Sequence, residues 1–304
     1  MNKTTIFDEI KSVFSQKNNI VKQLIAINVG VFVVVNLIGV FLMLFNVVSS
    51  NVLLDYVQLP ASLNRLLYRF WTPLTYQFLH VGFFHILFNM LWLFWLGNIL
   101  QEYLGSKRVL AIYLYGGFAG AFFYILAYNV FPLFDPFVAT SSAMGASAGV
   151  LAVIVGTATL LPDYSIRMLI IGEVRLKYLA LAIVLLDLLS AAGSNAGGHF
   201  AHLGGALFGF VFVKQLQSGN DWSVGINNFL EAMRNAFTAN PSTKPKKTTQ
   251  NLKRNTPSPT PKANQTGAPS QTEVDKILDK ISAKGYESLS KEEKEILFKA
   301  SKTD

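Results

Sequence analysis

The sequence contains no cysteine, and only 14% of its 304 residues carry a charge. The missing thiols exclude disulfides, thiol chemistry and cysteine-ligated metals. Soluble globular proteins carry about 25% charged residues, so this chain is too poor in charge for that class. The first residues are too polar to form the apolar stretch of a cleavable signal peptide, so we expect no such leader here.

Apolar residues dominate what is present. They make up 51% of the chain, its mean hydropathy is +0.37, and several apolar runs approach the roughly 20 residues that cross a bilayer. These features predict an all-α polytopic membrane protein. We expect six transmembrane spans, numbered one to six in chain order, at residues 24–48, 78–100, 109–128, 143–161, 178–192 and 199–216.

The segments outside the spans differ from them in composition. Ser290 and Glu293 have the spacing of a capping box, which predicts a helix start near the C-terminal end. The preceding linker is rich in proline, threonine and lysine and holds no acidic residue, which is typical of a disordered chain. We expect an N-terminal cytoplasmic or interfacial segment (1–23), a six-helix membrane domain (24–216), an amphipathic juxtamembrane segment (217–240), a disordered basic linker (241–271) and a small helical hairpin (272–304).

The net charge of +8 arises from basic residues in loops and tail. It therefore predicts membrane topology and contacts with anionic membrane lipids rather than nucleic-acid binding. The loops after spans three and five hold no lysine or arginine, whereas basic residues follow the even-numbered spans: Lys107, Arg108, Arg167, Arg175, Lys177 and Lys214. By the positive-inside rule both termini are cytoplasmic, and spans two, four and six run from outside to inside.

Polar side chains recur near the start of each even-numbered span. Since polar groups inside apolar spans are costly, each is a candidate functional residue. His85 and Asn89 are four residues apart and share one helix face. With the predicted orientation, the whole set falls in one layer in the outer half of the membrane: His80, His85, Asn89, Ser147, His199 and His202.

The stretch 145–149, Gly-Ala-Ser-Ala-Gly, has two interpretations. Its two glycines form a small-xxx-small pair, which by itself indicates close helix packing. Alternatively, Ser147 is a nucleophile that needs room for a reacting carbonyl. Gly205 and Gly209 on span six would let spans four and six approach, which would bring His202 within reach of Ser147. His199 lies nearer the mouth and is expected to be a solvated or gating residue.

A serine and a histidine suffice for proton transfer, with the histidine as general base. We expect no third member, because Asp187 is predicted to lie deep in span five, away from the motif. Candidate oxyanion donors are the Ser147 backbone N–H, His85 and Asn89. No zinc centre is expected, because the sequence around His80 is not His-Glu-x-x-His and no acidic residue is expected in the layer.

Four motifs lie between about residues 59 and 214: His80-x4-His85-x3-Asn89, Glu102-x-x-Leu-Gly-Ser106, Gly145-x-Ser147 and Ala201-His202-Leu-Gly-Gly205. By these motifs the chain resembles the rhomboid family of intramembrane serine proteases. The resemblance implies the six-helix rhomboid fold, and cleavage of transmembrane segments of protein substrates near the outer face by a Ser147–His202 dyad without metal or cofactor. It implies oxyanion donors at His85 and Asn89, supporting roles for Gly145, His80 and Gly205, and a mobile fifth helix.

Two positions depart from the family pattern. Leu151 stands where an aromatic residue often packs on the catalytic histidine, which predicts a looser His202. Thr72 follows Trp71 where arginine is frequent, which predicts a less well anchored first loop. The C-terminal ending resembles an appendage on some Bacteroidetes rhomboids, which implies a bacterial inner membrane.

Two hypotheses of function remain open. The first is a serine endopeptidase, and the second is a catalytically silent rhomboid-like factor that binds membrane-protein clients. Inactive relatives typically lack the serine or the histidine, so the presence of both Ser147 and His202 favours the enzyme. A third interpretation, a small transporter, lacks support because the sequence has no paired broken spans.

Overall fold

A computed structural model describes residues 5, 12–15, 19–46, 52–168, 172–191, 193, 195–238, 271–284 and 288–300. The chain divides into two compact units, Met1–Pro241 and Ser242–Asp304. Most of the expected N-terminal interfacial segment lies outside the described residues, as does nearly all of the expected disordered linker. The five-part division of the chain stays a prediction.

The first unit is built from helices, as the apolar runs predict. In chain order they are α1 (Ile20–Leu44), α2 (Val52–Val57), α3 (Leu63–Tyr68), α4 (Thr72–Thr75), α5 (Phe83–Leu104), α6 (Ser106–Val130), α7 (Ser147–Leu160), α8 (Leu176–Ser190), α9 (Ala196–Gln217) and α10 (Ser223–Thr238). Among the described residues four helices, α1, α5, α6 and α9, are long and apolar enough to cross a membrane. The expected all-α polytopic class is confirmed, while the count of six crossing helices stays a prediction.

The short apolar helix α7 lies at the centre of the unit. It packs against α5, α6 and α9, and every residue from Ala148 to Ala158 is buried. Close packing with α9 depends on glycine. A Cβ on Gly205 would lie 2.1 Å from the Ala148 carbonyl oxygen, and one on Gly209 would lie 2.2 Å from that of Ala152. The close approach predicted from these glycines is confirmed.

Helix α1 lies at the edge of this bundle. Its first turns pack inward through Val21 and Leu24, and the buried Asn28 amide donates a hydrogen bond to the Tyr113 hydroxyl at 3.1 Å. The later turns expose large apolar side chains such as Leu37. In a membrane protein such a surface contacts lipid tails, which are as apolar as leucine.

Contacts between its own residues hold the connection between α1 and α5 in place. The carboxylate of Asp55 pairs with the guanidinium groups of Arg65 and Arg69, and hydrogen bonding to Arg69 is the main effect that holds the pKa of Asp55 below its ordinary value of 3.8. The Trp71 ring N–H donates to the Tyr56 carbonyl oxygen at 2.8 Å. The expectation of a poorly anchored first loop was therefore wrong: these two arginines fix it from other positions.

Two small antiparallel sheets accompany the helices within the described part of the chain. Strand β1 (Leu59–Pro60) pairs with β2 (Ser142–Ala143), which ties the first connection to the segment just before α7. Strands β3 (Ser165–Met168) and β4 (Gly172–Arg175) form a hairpin between α7 and α8. The sheet of β1 and β2 holds the backbone that leads into Ser147.

The second unit contains α11 (Gln271–Lys284) and α12 (Lys291–Ala300). The predicted capping box is confirmed, because the Glu293 N–H donates to the Ser290 hydroxyl at 3.2 Å and the Ser290 N–H donates to a Glu293 carboxylate oxygen at 2.7 Å. The same carboxylate pairs with Lys280 at 2.8 Å. The pair between Lys280 and Glu293 joins the two helices.

Candidate active site

The chain turns sharply just before Ser147. Gly145 has φ +135°, a backbone conformation that favours glycine. Its N–H donates to the Tyr76 carbonyl oxygen at 2.9 Å. Span four was expected to begin at residue 143, but α7 begins at Ser147 because the preceding residues adopt this turn. The serine therefore lies at a helix N-terminus rather than within a helix.

His202 on α9 contacts this serine directly. The distance from His202 Nε2 to Ser147 Oγ is 2.7 Å. The close packing of α7 and α9 at Gly205 makes this distance possible. A serine within hydrogen-bonding distance of an imidazole is the arrangement in which the ring nitrogen can take the hydroxyl proton.

Asp187 on α8 is the main correction to the sequence analysis. One of its carboxylate oxygens, Oδ1, lies 2.9 Å from His202 Nδ1. The expectation that no acidic residue reaches this layer was wrong. Helix α8 runs opposite to α7 and α9, so a residue one turn before its last residue, Ser190, lies level with the first residue of α7. The same loop charges orient span five from inside to outside, which places Asp187, close to the end of that span, toward the outer layer.

His199 contacts the same carboxylate oxygen. Its Nδ1 lies 2.6 Å from Asp187 Oδ1. The side chains of His199 and His202 are 22% and 23% exposed, so both are largely enclosed and yet reachable from outside. The expectation of a solvated or gating His199 stays a prediction, and the structure adds that Asp187 holds this ring.

The candidate oxyanion donors have different surroundings. A Cβ on Gly145 would lie 3.2 Å from His85 Nε2 and 3.6 Å from Ser147 Oγ, so the His85 ring borders the space beside the serine. The Asn89 amide donates one hydrogen bond to the His85 carbonyl oxygen at 2.8 Å. The first N–H groups of a helix lack intrahelical acceptors, and the positive end of the helix dipole favours negative charge there. Ser147 supplies the first of these N–H groups.

His80 supports the loop rather than helix α5. It was expected inside span two, but α5 begins only at Phe83, after the extended residue Gly82. His80 is fully buried, and its Nε2 accepts a hydrogen bond from the Ala146 N–H at 3.4 Å. The imidazole therefore contacts the backbone immediately before Ser147.

Comparisons with known proteins match two separate parts of the chain. Residues 68–217 match the Rhomboid domain, and residues 261–303 match a family of unknown function (DUF6576). The presenilin-associated rhomboid-like proteins, mitochondrial, of Homo sapiens and Pongo abelii are each 27% identical over 186 residues, which cover 55% of this chain and 46% of theirs.

A third relative, presenilin-associated rhomboid-like protein A, mitochondrial, of Danio rerio, is 26% identical over 140 residues, which cover 45% of this chain and 35% of its own. The matched region thus spans less than half the length of each of these curated relatives. The multi-pass helical architecture, the Rhomboid domain match and these rhomboid-like relatives together show that residues 68–217 of this chain form a Rhomboid domain.

Proposed function

We propose that this Rhomboid-domain protein is an intramembrane serine endopeptidase in which Ser147 is the nucleophile and His202 the general base. The observation that carries the proposal is the 2.7 Å distance between Ser147 Oγ and His202 Nε2. The substrates are transmembrane helices of other membrane proteins, cut near the outer face. No cofactor takes part in the reaction, which is hydrolysis by water.

Acyl transfer follows from the two contacts of His202. When Nδ1 carries the ring proton and its N–H donates a hydrogen bond to Asp187 Oδ1, the lone pair of Nε2 faces Ser147 Oγ. Nε2 takes the hydroxyl proton as Oγ bonds to the scissile carbonyl carbon, and then gives that proton to the leaving amine as the C–N bond breaks. Asp187 acts as a positioning residue, because it fixes the tautomer and orientation of the ring.

Hydrolysis of the acyl-enzyme repeats the same proton transfers. His202 Nε2 takes a proton from water as the water oxygen bonds to the acyl carbon, and returns it to Ser147 Oγ as the ester bond breaks. The negative charge that forms on the carbonyl oxygen in each step needs fixed hydrogen-bond donors. The Ser147 backbone N–H at the start of α7 and the His85 ring are the donors best placed for it. Asn89 would add a further donor, because its side-chain amide has two N–H groups and only one donates to the His85 carbonyl oxygen.

The location of this activity follows from the predicted topology. Both termini lie in the cytoplasm of a bacterial cell, and the first unit crosses the inner membrane. Helix α8 packs against α7 and α9 and exposes Leu185, Leu186 and Leu189. Because α8 also carries Asp187, an outward movement of α8 would admit a substrate and at the same time separate the carboxylate from His202. The helix would then have to return before a positioned His202 could act as the base.

A catalytically silent binding factor is the alternative. The relatives are named presenilin-associated and rhomboid-like, and these words describe association and likeness rather than catalysis. In that case the surface around Ser147 would hold a client helix without cutting it. The two functions are distinguished by cleavage: a protease cuts the bound helix and needs Ser147 to do so, whereas a silent factor leaves the helix intact.

The experiment is cleavage of a fluorescent transmembrane substrate by the purified full-length chain in detergent. We expect cleavage by the wild type, and rates at least about a hundredfold lower for Ser147→Ala and His202→Ala, since general-base catalysis contributes about 10² to 10⁴. Ser218→Ala is the matched control, because Ser218 is exposed at the opposite end of α9. Equal cleavage by wild type and Ser147→Ala would overturn the proposal, and binding without cleavage would favour the silent factor.

A further inference from the structure

One feature of the site exceeds what proton transfer by His202 requires. His199 and His202 each direct Nδ1 at the same oxygen of Asp187, although the proton transfers use the imidazole of His202 alone. The three ligand atoms, two imidazole nitrogens and one carboxylate oxygen, all lie within 4.8 Å of one another. Two histidines and a carboxylate are a ligand set typical of zinc sites with one open position.

The three groups are held by rigid elements. His199 and His202 are three residues apart on α9 and so share one face, and Asp187 comes from the neighbouring α8. In a tetrahedral zinc site, ligand atoms about 2.0 to 2.2 Å from the metal lie roughly 3.3 Å from one another. The present separations from Asp187 Oδ1 are 2.6 and 2.9 Å. Binding therefore needs these two separations to lengthen by about 0.4 to 0.7 Å. The two ring nitrogens, which lie within 4.8 Å of each other, would adopt the same spacing of roughly 3.3 Å.

We propose that Asp187, His199 and His202 form an inhibitory Zn²⁺ site on the outer side of the protease. This inference rests on the proposed function, because it assigns a regulator to the same histidine. The partial exposure of both rings leaves a route for the ion. Oxygen-preferring ions such as Mg²⁺ and Ca²⁺ suit a site with two imidazole ligands poorly, so they should bind far more weakly.

Inhibition follows because a neutral imidazole carries a proton on only one of its two nitrogens. The ring carries one N–H, and the general base needs it on Nδ1 so that the lone pair of Nε2 is free. Coordination of Nδ1 to the metal moves that proton to Nε2. His202 Nε2 then becomes a donor toward Ser147 and no longer accepts the hydroxyl proton. The bound ion also takes the Asp187 oxygen that holds the ring.

Metal binding is measured first and without reference to catalysis. Co²⁺, a spectroscopic substitute for Zn²⁺, is titrated into the purified full-length chain carrying Ser147→Ala, which retains all three ligands. We expect one Co²⁺ per chain with visible absorption bands of tetrahedral coordination, displaced by Zn²⁺. Adding His199→Gln or Asp187→Asn should weaken binding by at least about tenfold, since even groups behind the ligands contribute 10- to 100-fold.

The matched control for binding is Asp163→Asn, which removes an exposed carboxylate outside the cluster. Its affinity for Co²⁺ should equal that of the Ser147→Ala parent. Co²⁺ binding that survives His199→Gln unchanged, or that Asp163→Asn abolishes, would overturn the assignment of the ligands. Because this measurement needs no activity, it tests the metal site even if the chain proves catalytically silent.

Inhibition is measured second, on the wild-type chain. We expect Zn²⁺ to stop substrate cleavage, EDTA to restore it and equal concentrations of Mg²⁺ to have no effect. The Zn²⁺ concentration that halves the rate should rise at least about tenfold in His199→Gln, each variant being compared with its own metal-free rate. An active wild type that Zn²⁺ leaves unaffected would overturn the regulatory proposal, whereas a wild type with no metal-free cleavage would overturn the proposed function instead.

Discussion

At the residue scale, His202 is held through both of its ring nitrogens. Nδ1 lies 2.9 Å from Asp187 Oδ1 and Nε2 lies 2.7 Å from Ser147 Oγ. The resemblance predicts a looser ring here, because Leu151 replaces a packing aromatic residue. In the structure Leu151 is buried in the core, and the carboxylate supplies the orientation that the aromatic residue would have given. A charged group thus replaces a packing contact.

Replacing Asp187 by asparagine tests this role. An amide can bond to either tautomer of His202, so the productive one is no longer favoured and kcat should fall at least about tenfold. KM should change little, since the substrate helix does not need the carboxylate. The measurement is kcat and KM for the fluorescent substrate, together with the labelling rate of Ser147 by a fluorophosphonate.

A purely structural role for Asp187 would give a different pattern. Asp187→Asn would then lower the fraction of folded protein and leave the turnover of the folded fraction unchanged. Glu replacement provides the conservative comparison, because it keeps the charge and should recover part of the labelling rate. Wild-type kcat in Asp187→Asn at equal folded concentration would contradict the positioning role.

At the scale of elements, the packing of α7 against α9 sets the distance between Ser147 and His202. The two backbones meet at Gly205 and Gly209, where no side chain separates them. Van der Waals packing of this kind drives helix association in membranes, where no hydrophobic effect acts between helices. The glycines therefore contribute to both stability and the geometry of the site.

Gly205→Ala should separate the two helices. Its Cβ would lie 2.1 Å from the Ala148 carbonyl oxygen, and backbone at that distance must move. We expect a loss of about 1 to 3 kcal/mol of stability, as for other overpacked sites, and a larger proportional loss of cleavage. The measurement is thermal unfolding in detergent alongside substrate cleavage.

Gly30→Ala on α1 is the control for that variant, because a Cβ at Gly30 meets no atom within 4 Å. It should unfold at or above the wild-type temperature and cleave at the wild-type rate. If Gly205→Ala were as stable and as active as Gly30→Ala, the contact between α7 and α9 would not set the geometry of the site.

At the scale of the whole molecule, the sequence predicts the membrane class, the order of the apolar helices and the convergence of Ser147 with His202. Hydropathy and loop charge carry this information, because membrane insertion depends on them directly. Helix starts were less well predicted. The starts of α5 and α7 depend on the turns around Gly82 and Gly145, which hydropathy does not detect.

Asp187 and His199 show the limit of the same reasoning. Hydropathy identifies a carboxylate in an apolar run as costly, but its partner depends on how α8 lies against α9. The anchoring of the first loop by Arg65 and Arg69 was likewise missed, because both arginines pair with Asp55 on the separate short helix α2. The partners of these residues depend on contacts between elements, which the sequence pattern does not specify.

The most direct measurement of the central claim is the rate at which a fluorophosphonate labels Ser147 in the purified full-length chain. Labelling requires a serine activated by its base, and it needs no knowledge of the natural substrate. We predict one label per chain, located at Ser147 by mass spectrometry, and labelling at least about a hundredfold slower in folded His202→Ala. Absence of label on the folded wild type, or an equal labelling rate in His202→Ala, would contradict the proposed Ser147–His202 mechanism.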